Sequence, residues 1–351
     1  MVLPVSFRPG RRIFVAGAAL GAASFAVPLL RAQTKPEKTA IRISVGDKSS
    51  LYHLPLTIAE RLGYFGAAGL QVSIDDYGTG AAALQALLSG RADVCAGAFK
   101  HTLSLQSRHR YCTAFVLEGR APQVVTAVSL RGLPDYRNID DLRGKRIGVS
   151  ALGATTHLAA SLVLARAGLR PTDVTYLPVG LGAPAAQAIQ TGQVDALASL
   201  DPLVTRLEQR GDVCVISDTR TMKETAAVFG GPMPAGCLYA PEPFLRFNPH
   251  TTQALTDAMV RALKWLQTAS AGDILKTVPA HYLDGDRALY LAAFQKVREA
   301  ISPDGLVPDD GAATVLRAAA GFEHELAAAH VDTRRLYTND FARRAKQRYE
   351  A

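Results

Sequence analysis

The residues of this 351-residue chain whose spacing most directly suggests chemistry lie in two glycine loops. YGTGAAA from Tyr77 and VGLGAPA from Val179 both satisfy G-x-G-x-x-A after a strand-like run, the weak form of a dinucleotide-binding fingerprint. That chemistry also needs an acidic residue about 20 positions further on, at the end of the next strand, to hold a ribose. Asp93 follows Gly80 by only 13 residues and Asp195 follows Gly182 by only 13, each opening a strand, so both copies fail the test. The physics of the loops survives without a nucleotide. Glycine loops that lead into helices present free backbone N–H groups and the positive end of a helix dipole, which suits an anion. GVSALGATTHLAAS from Gly148 is a third such place, where Thr155 or Thr156 is expected to cap a helix beginning at His157.

Other reactive constellations are missing. The eight histidines form no HExxH, and neither GxSxG nor GxxxxGK[ST] occurs. No nucleophile, general base or metal set is visible, so no catalytic residue, metal or cofactor is expected. His53 and His157 each follow a strand-end loop and are candidates to reach a cleft, whereas His324, between Glu323 and Glu325, reads as a solvated helical position. Cys95, Cys112, Cys214 and Cys237 fit no CxxC or zinc spacing. Pairs Cys95–Cys112 and Cys214–Cys237 would each stay within one half of the chain, and buried free thiols are the alternative.

The elements that must position these loops are announced by a repeat. GAAALQALLSGRADVCA from Gly80 returns 102 residues later as GAPAAQAIQTGQVDALA from Gly182, with eight of seventeen positions identical. Each copy reads as a glycine turn, a helix, a helix-ending glycine and a short apolar strand opened by an aspartate. A spacing of that size is too long for a solenoid, whose repeats run roughly 20 to 50 residues. Two similar α/β lobes are the reading left. Strands alternate with helices from IRISVG at Ile41 to DVCVIS at Asp212, which predicts open, mostly parallel sheets; at CLYAPEPFLRFNP the alternation stops, and from Asn248, an N-cap ahead of Pro249, the remainder reads as helical. The predicted division is a first lobe from 33–125 plus 241–351, a second lobe from 126–240, and a helical tail that returns over the first lobe. Two crossings between lobes make a hinge, and hence a clamshell.

Residues 1–32 stand apart. They hold Arg8, Arg11, Arg12 and Arg31, no acidic residue, and the small apolar run IFVAGAALGAASFAVPLL. This predicts a signal peptide. The Arg11-Arg12 pair resembles a twin-arginine signal but lacks the usual preceding Ser or Thr, so Tat and Sec export both remain open. The net charge of +8 loses four of 39 Lys+Arg and none of 31 Asp+Glu with that segment, leaving +4. The basic run RRLYTNDFARRAKQR then reads as a solvated terminal helix, and nucleic-acid binding is not expected.

The run PLTIAERLGYFGAAGLQVSIDDYGTGAAALQALLSGRADVCAGA resembles the opening lobe of periplasmic binding proteins of the nitrate, sulfonate and taurine type, here with Gly63-Tyr64-Phe65 and Gly69-Leu70 ahead of the strand, glycine loop and Gly-x-x-Asp turn. LRGKRIGVSALGATTHLAASLVLARAGL and QTGQVDALASLDPLVTRL are similar to the second lobe, so the resemblance spans essentially the whole exported chain. It implies a two-lobed α/β clamshell, type II-like, with a ligand cleft between lobes. By position it implies a ligand shell of Leu51, Tyr52, His53, Thr79, Gly80, Phe99, Ala154, Thr155, Thr156 and Asp201. Relatives that bind sulfonates often carry an aromatic residue where this chain has Leu200. Lys48 and Lys100 are the only lysines or arginines in the best cleft loops, so an anion would be held mainly by backbone N–H and hydroxyl groups. Glu118 and Asp201 could equally face a cationic or amide-bearing ligand, as in relatives that bind pyrimidines.

These readings imply an exported, periplasmic and monomeric solute-binding protein that delivers a small organic anion of the sulfonate, taurine or nitrate kind to an inner-membrane ABC permease and its ATPase. The alternatives are a binder of a pyrimidine or aromatic carboxylate, and an enzyme resembling the pyrimidine-forming synthases of thiamine synthesis. Those synthases carry a cysteine-rich metal motif that this chain lacks. A sensing subunit on the same clamshell would look the same in sequence.

Overall fold

IRISVG forms the first strand, β1 (Ala40–Val45), and its alternation places Ile41, Ile43 and Val45 in the core. The computed structural model describes residues 1–6, 35–322, 326 and 330–351. The chain divides into two units, Met1–Thr34 and Lys35–Ala351. The first is described only at residues 1–6, so the expected export segment lies almost wholly outside the described residues, as does His324. Among the described residues no helix is long and apolar enough to cross a membrane.

After β1 come β2 (Gln71–Asp76), β3 (Val94–Ala98), β4 (Cys112–Leu117), β5 (Val125–Ser129), β6 (Arg146–Val149), β7 (Thr175–Pro178), β8 (Ala196–Ser199), β9 (Val213–Asp218) and β10 (Gly236–Pro241). They form two five-stranded sheets, ordered β2-β1-β3-β10-β4 and β7-β6-β8-β5-β9. The plans are the same: three parallel strands, then one antiparallel strand, then an edge strand. In each sheet the antiparallel strand is the one that has just crossed from the other lobe. β5 enters the second sheet and β10 re-enters the first. The return crossing therefore precedes Gly236, and the boundary expected at 240 moves toward the N-terminus. GCLYAP is buried almost throughout, and a short apolar run declares a strand without declaring its sheet.

The repeated Gly-x-x-Asp turns do the same work in both lobes. Asp93 accepts the Arg42 backbone N–H at 2.9 Å, and the Arg42 guanidinium donates to the Gly90 carbonyl at 3.1 Å. In the second lobe Asp195 accepts the Arg146 backbone N–H at 2.9 Å, and the Arg146 guanidinium donates to Asp195 and, at 2.9 Å, to the Gly192 carbonyl. Gly90 and Gly192 both stand at φ 73°, a left-handed helix end that glycine adopts without strain. Each clasp ties a helix end to the start of the neighbouring strand.

The helical tail covers more than the first lobe. The helix Pro249–Thr268 contributes Leu255, Met259 and Leu263 to the same buried cluster as Ile41, Ile43 and Leu56. The helix Gly311–Ala320, however, packs on Lys100–Gln106 of the first lobe and on Thr155–Arg166 and Met222–Phe229 of the second. Arg206–Asp284 at 2.6 Å and Lys296–Glu208 at 2.7 Å add two ion pairs between the tail and the second lobe. All four cysteines are free, and β10 carries Cys237 into the first sheet while Cys214 stays in the second.

Candidate functional site

In an open α/β sheet the loops at the carboxyl ends of the strands line the crevice. Both sheets obey this rule. A cavity of about 640 Å³ is lined from the first lobe by the loops after β1, β2 and β3, and from the second by the loops after β6, β7 and β8, with Pro122 and Val124 of the crossing segment between them. Lys100 joins the two walls: its Nζ donates to the Gly153 carbonyl at 2.8 Å. Among the described lining residues there is no Asp or Glu, whereas His53, Lys100, His101 and Arg108 are all present. Leu84, Leu152, Leu181 and Leu200 give the wall its apolar part.

The second-lobe wall ends in the helix Thr155–Arg166, whose N-cap is Ala154 with no side-chain cap. The expected threonine cap is therefore absent. Thr156 turns its hydroxyl to Ser150, accepting the Ser150 N–H at 3.0 Å and pairing with Ser150 Oγ at 2.8 Å. Thr155 lines the cavity at this uncapped helix start, and its hydroxyl has no hydrogen-bond partner among the described residues. Opposite it, Thr79 does cap the helix Gly80–Leu88 by accepting from the Ala82 N–H.

The NMT1/THI5-like family profile matches residues 50–269. This chain belongs to the NMT1/THI5-like family. A solved structure from Bordetella bronchiseptica RB50 is 49% identical, covers 90% of this chain and 100% of its own, and superposes with a TM-score of 0.85. The periplasmic aliphatic sulphonate binding protein SsuA from Escherichia coli shares the fold at 22% identity, over 85% of this chain and 91% of its own, with a TM-score of 0.65. The 4-amino-5-hydroxymethyl-2-methylpyrimidine phosphate synthase of Schizosaccharomyces pombe is 31% identical over 147 residues, which is 41% of this chain and 40% of that enzyme. The chain thus has the two-lobed fold of periplasmic binding proteins.

Of the ligand shell expected for this NMT1/THI5-like chain, Tyr52, His53, Thr79, Gly80, Ala154, Thr155 and Thr156 line the cavity. Four residues do not. Leu51 is fully buried in the first-lobe core, and Phe99 is fully buried against Tyr337. Asp201 is turned away from the cavity, accepting from the Thr205 N–H at 2.8 Å and from Arg220 at 2.9 Å. Glu118 lies behind His53, its Oε2 3.2 Å from His53 Nδ1 and its Oε1 buried without a partner. Lys48 pairs with Glu60, and His157 accepts the Gly153 N–H and meets the edge of Tyr176. Neither lines the cavity.

Sequence reasoning found the segment after β3 and chose the wrong side chain. Phe99, the residue between β3 and the helix Lys100–Gln106, is buried in the core, and His101 lines the cavity two residues later. His101 Nδ1 is 2.8 Å from the Tyr239 hydroxyl. Burial, and then the charges of Lys100 and His53, push its pKa down to about 4. The unfolded chain then binds a proton that the folded one refuses, so stability should fall as pH drops from about 6.5 to about 4. Urea unfolding across that window is expected to show a shallower fall for His101→Phe than for the parent; equal slopes would contradict the burial argument.

Proposed function

We propose that this chain is an exported solute-binding protein that captures an organic anion with an apolar body and delivers it to an ABC importer. The observation that carries this reading is the polarity of the cavity wall: the cations Lys100 and Arg108, the imidazoles of His53 and His101, no carboxylate among the described lining residues, and an uncapped helix N-terminus from the facing lobe. The leucines supply a surface for the rest of the molecule. A volume of about 640 Å³ falls in the ~300–1,000 Å³ range of cavities that enclose drug-sized ligands and far exceeds a bare nitrate ion. The reading therefore favours an alkyl or aryl sulfonate or carboxylate over nitrate. With Glu118 and Asp201 both outside the lining, a cationic or amide-bearing pyrimidine loses the acidic partners it would need. Permease and ATPase partners, a periplasmic location and a monomeric state belong to the same proposal, and the likeness to periplasmic binding proteins supports the first two.

A thermal-shift panel of alkyl and aryl sulfonates, aromatic carboxylates, nitrate and pyrimidines tests it. A ligand at 100 times its Kd should stabilise the protein by about 2.7 kcal/mol. The expected result is a shift with an organic acid and none with nitrate. Thr155→Ala should then weaken that acid about 10-fold, the usual effect of losing one hydrogen bond to a charged group. A response to pyrimidines alone would overturn the anion reading.

A further inference from the structure

We infer that His101 reads the ligand as a neutral hydrogen-bond donor, held as its Nε2–H tautomer by the Tyr239 hydroxyl, and that Tyr239 is its positioning residue. The inference rests on the organic-anion reading of the cleft for the identity of the acceptor, and on the local geometry for the tautomer. Tyr239 lies on β10, fully buried, opposite Cys95 on β3. Its ring meets His101 edge-on at 5.9 Å between centroids. The space for this pair is left by Gly97, where an added Cβ would stand 3.2 Å from His101 Nδ1 and 3.3 Å from Tyr239 Oη. On the far side of the imidazole, Cε1 and Nε2 face Gly80 at the cavity wall, 3.5 and 3.9 Å from the position of a Cβ there. Nε2 has no partner among the described residues.

A tyrosine hydroxyl has one proton to give, and two neighbours could take it. One is His101 Nδ1; the other is the Cys95 thiol beside it. Burial pushes that thiol up to about 11, so it remains S–H, and a thiol sulfur is a weak acceptor. The tyrosine proton therefore goes to the imidazole, and the remaining ring proton is placed on Nε2, toward the cavity. The charged and titratable groups around the ring are Lys100 beside it, His53 across the first-lobe wall, and Tyr239 and Cys95 beneath. Burial first, and then Lys100 and His53, disfavour a proton on the second ring nitrogen and keep the ring neutral. A neutral donor fits a sulfonate or carboxylate oxygen and rejects an ammonium or amide N–H presented at the same point.

Long-range proton–nitrogen spectra of the histidine-labelled full chain at neutral pH, with His101 assigned by its loss in His101→Phe, decide the tautomer without any ligand. The expected spectrum has a protonated Nε2 and a bare Nδ1, and Tyr239→Phe should average the two nitrogen shifts. A protonated Nδ1, or no change in Tyr239→Phe, would overturn the assignment. Calorimetric titration with benzenesulfonate and with benzoate then tests the contact. His101→Phe and Tyr239→Phe are each expected to raise Kd about 10-fold for the anion that binds. An unchanged Kd in His101→Phe would overturn the ligand contact. Absence of binding by either anion to the parent protein would overturn the organic-anion reading and the contact with it, while the spectrum still decides the tautomer.

Discussion

Gly46→Ala should abolish ligand binding and lower stability by at least about 3 kcal/mol, the range of severe overpacking. Gly46 follows β1 and lines the cavity. A Cβ built there stands 2.1 Å from the Thr79 carbonyl carbon, 2.3 Å from the Gly80 nitrogen and 2.4 Å from the Thr79 oxygen. All three are backbone atoms, so no side-chain rotation relieves the clash. The loop after β1 and the loop after β2 must separate, and with them Ser50, Tyr52 and His53 on one side and Thr79 and Gly80 on the other. Gly63→Ala is the useful comparison. It has a left-handed φ of 69° but open space around the new methyl group, so it should lose only about 1 kcal/mol. Urea unfolding of both variants separates steric from conformational effects. A Gly46→Ala protein within 1 kcal/mol of the parent would show that the two loops are not in the contact described.

Arg220→Met is the second large effect, with an expected loss of about 3–5 kcal/mol at neutral pH, as found when one partner of a buried ion pair is removed. Arg220 is almost wholly buried, and its guanidinium donates to Asp218, to Asp201 at 2.9 Å and to Glu208 at 3.2 Å. Burial opposes its charge, but hydrogen bonding to Asp218 and Glu208 and the charges of Asp201 and Asp218 outweigh this and hold its pKa above the ordinary value. Without the arginine, the fully buried Asp201 side chain keeps only the Thr205 N–H. That stranded carboxylate is the expected source of the loss, so adding Asp201→Asn to Arg220→Met should recover part of it. A double variant no more stable than Arg220→Met would point to lost packing instead of a stranded carboxylate.

The doubled α/β plan was legible because it rests on short-range signals: a glycine turn, a helix stop and a strand-opening aspartate, each written twice. The loops of the cleft were legible for the same reason, since a strand followed by a glycine or threonine loop declares its carboxyl end. What sequence could not decide was direction. Phe99 and His101 share one turn, and only packing against Tyr337 and Tyr239 shows which faces the core. Asp201 has the type and place of a ligand contact, but its partner Arg220 is 19 residues away and reaches it through the fold of the second lobe. β10 failed for a related reason: its apolar run fits a slot in either sheet, and the choice belongs to the whole topology.

The two arginine–aspartate clasps sit at the amino ends of β1 and β6, a strand's length from the loops that meet the ligand. Cohesion and selectivity therefore occupy opposite edges of the same sheets. Loop substitutions can accumulate at one edge without loosening the other, so a single chassis can drift from one cargo to another while remaining folded. The same separation makes the loops after β1, β3 and β6 the places to graft residues when converting this protein into a sensor for a molecule of choice.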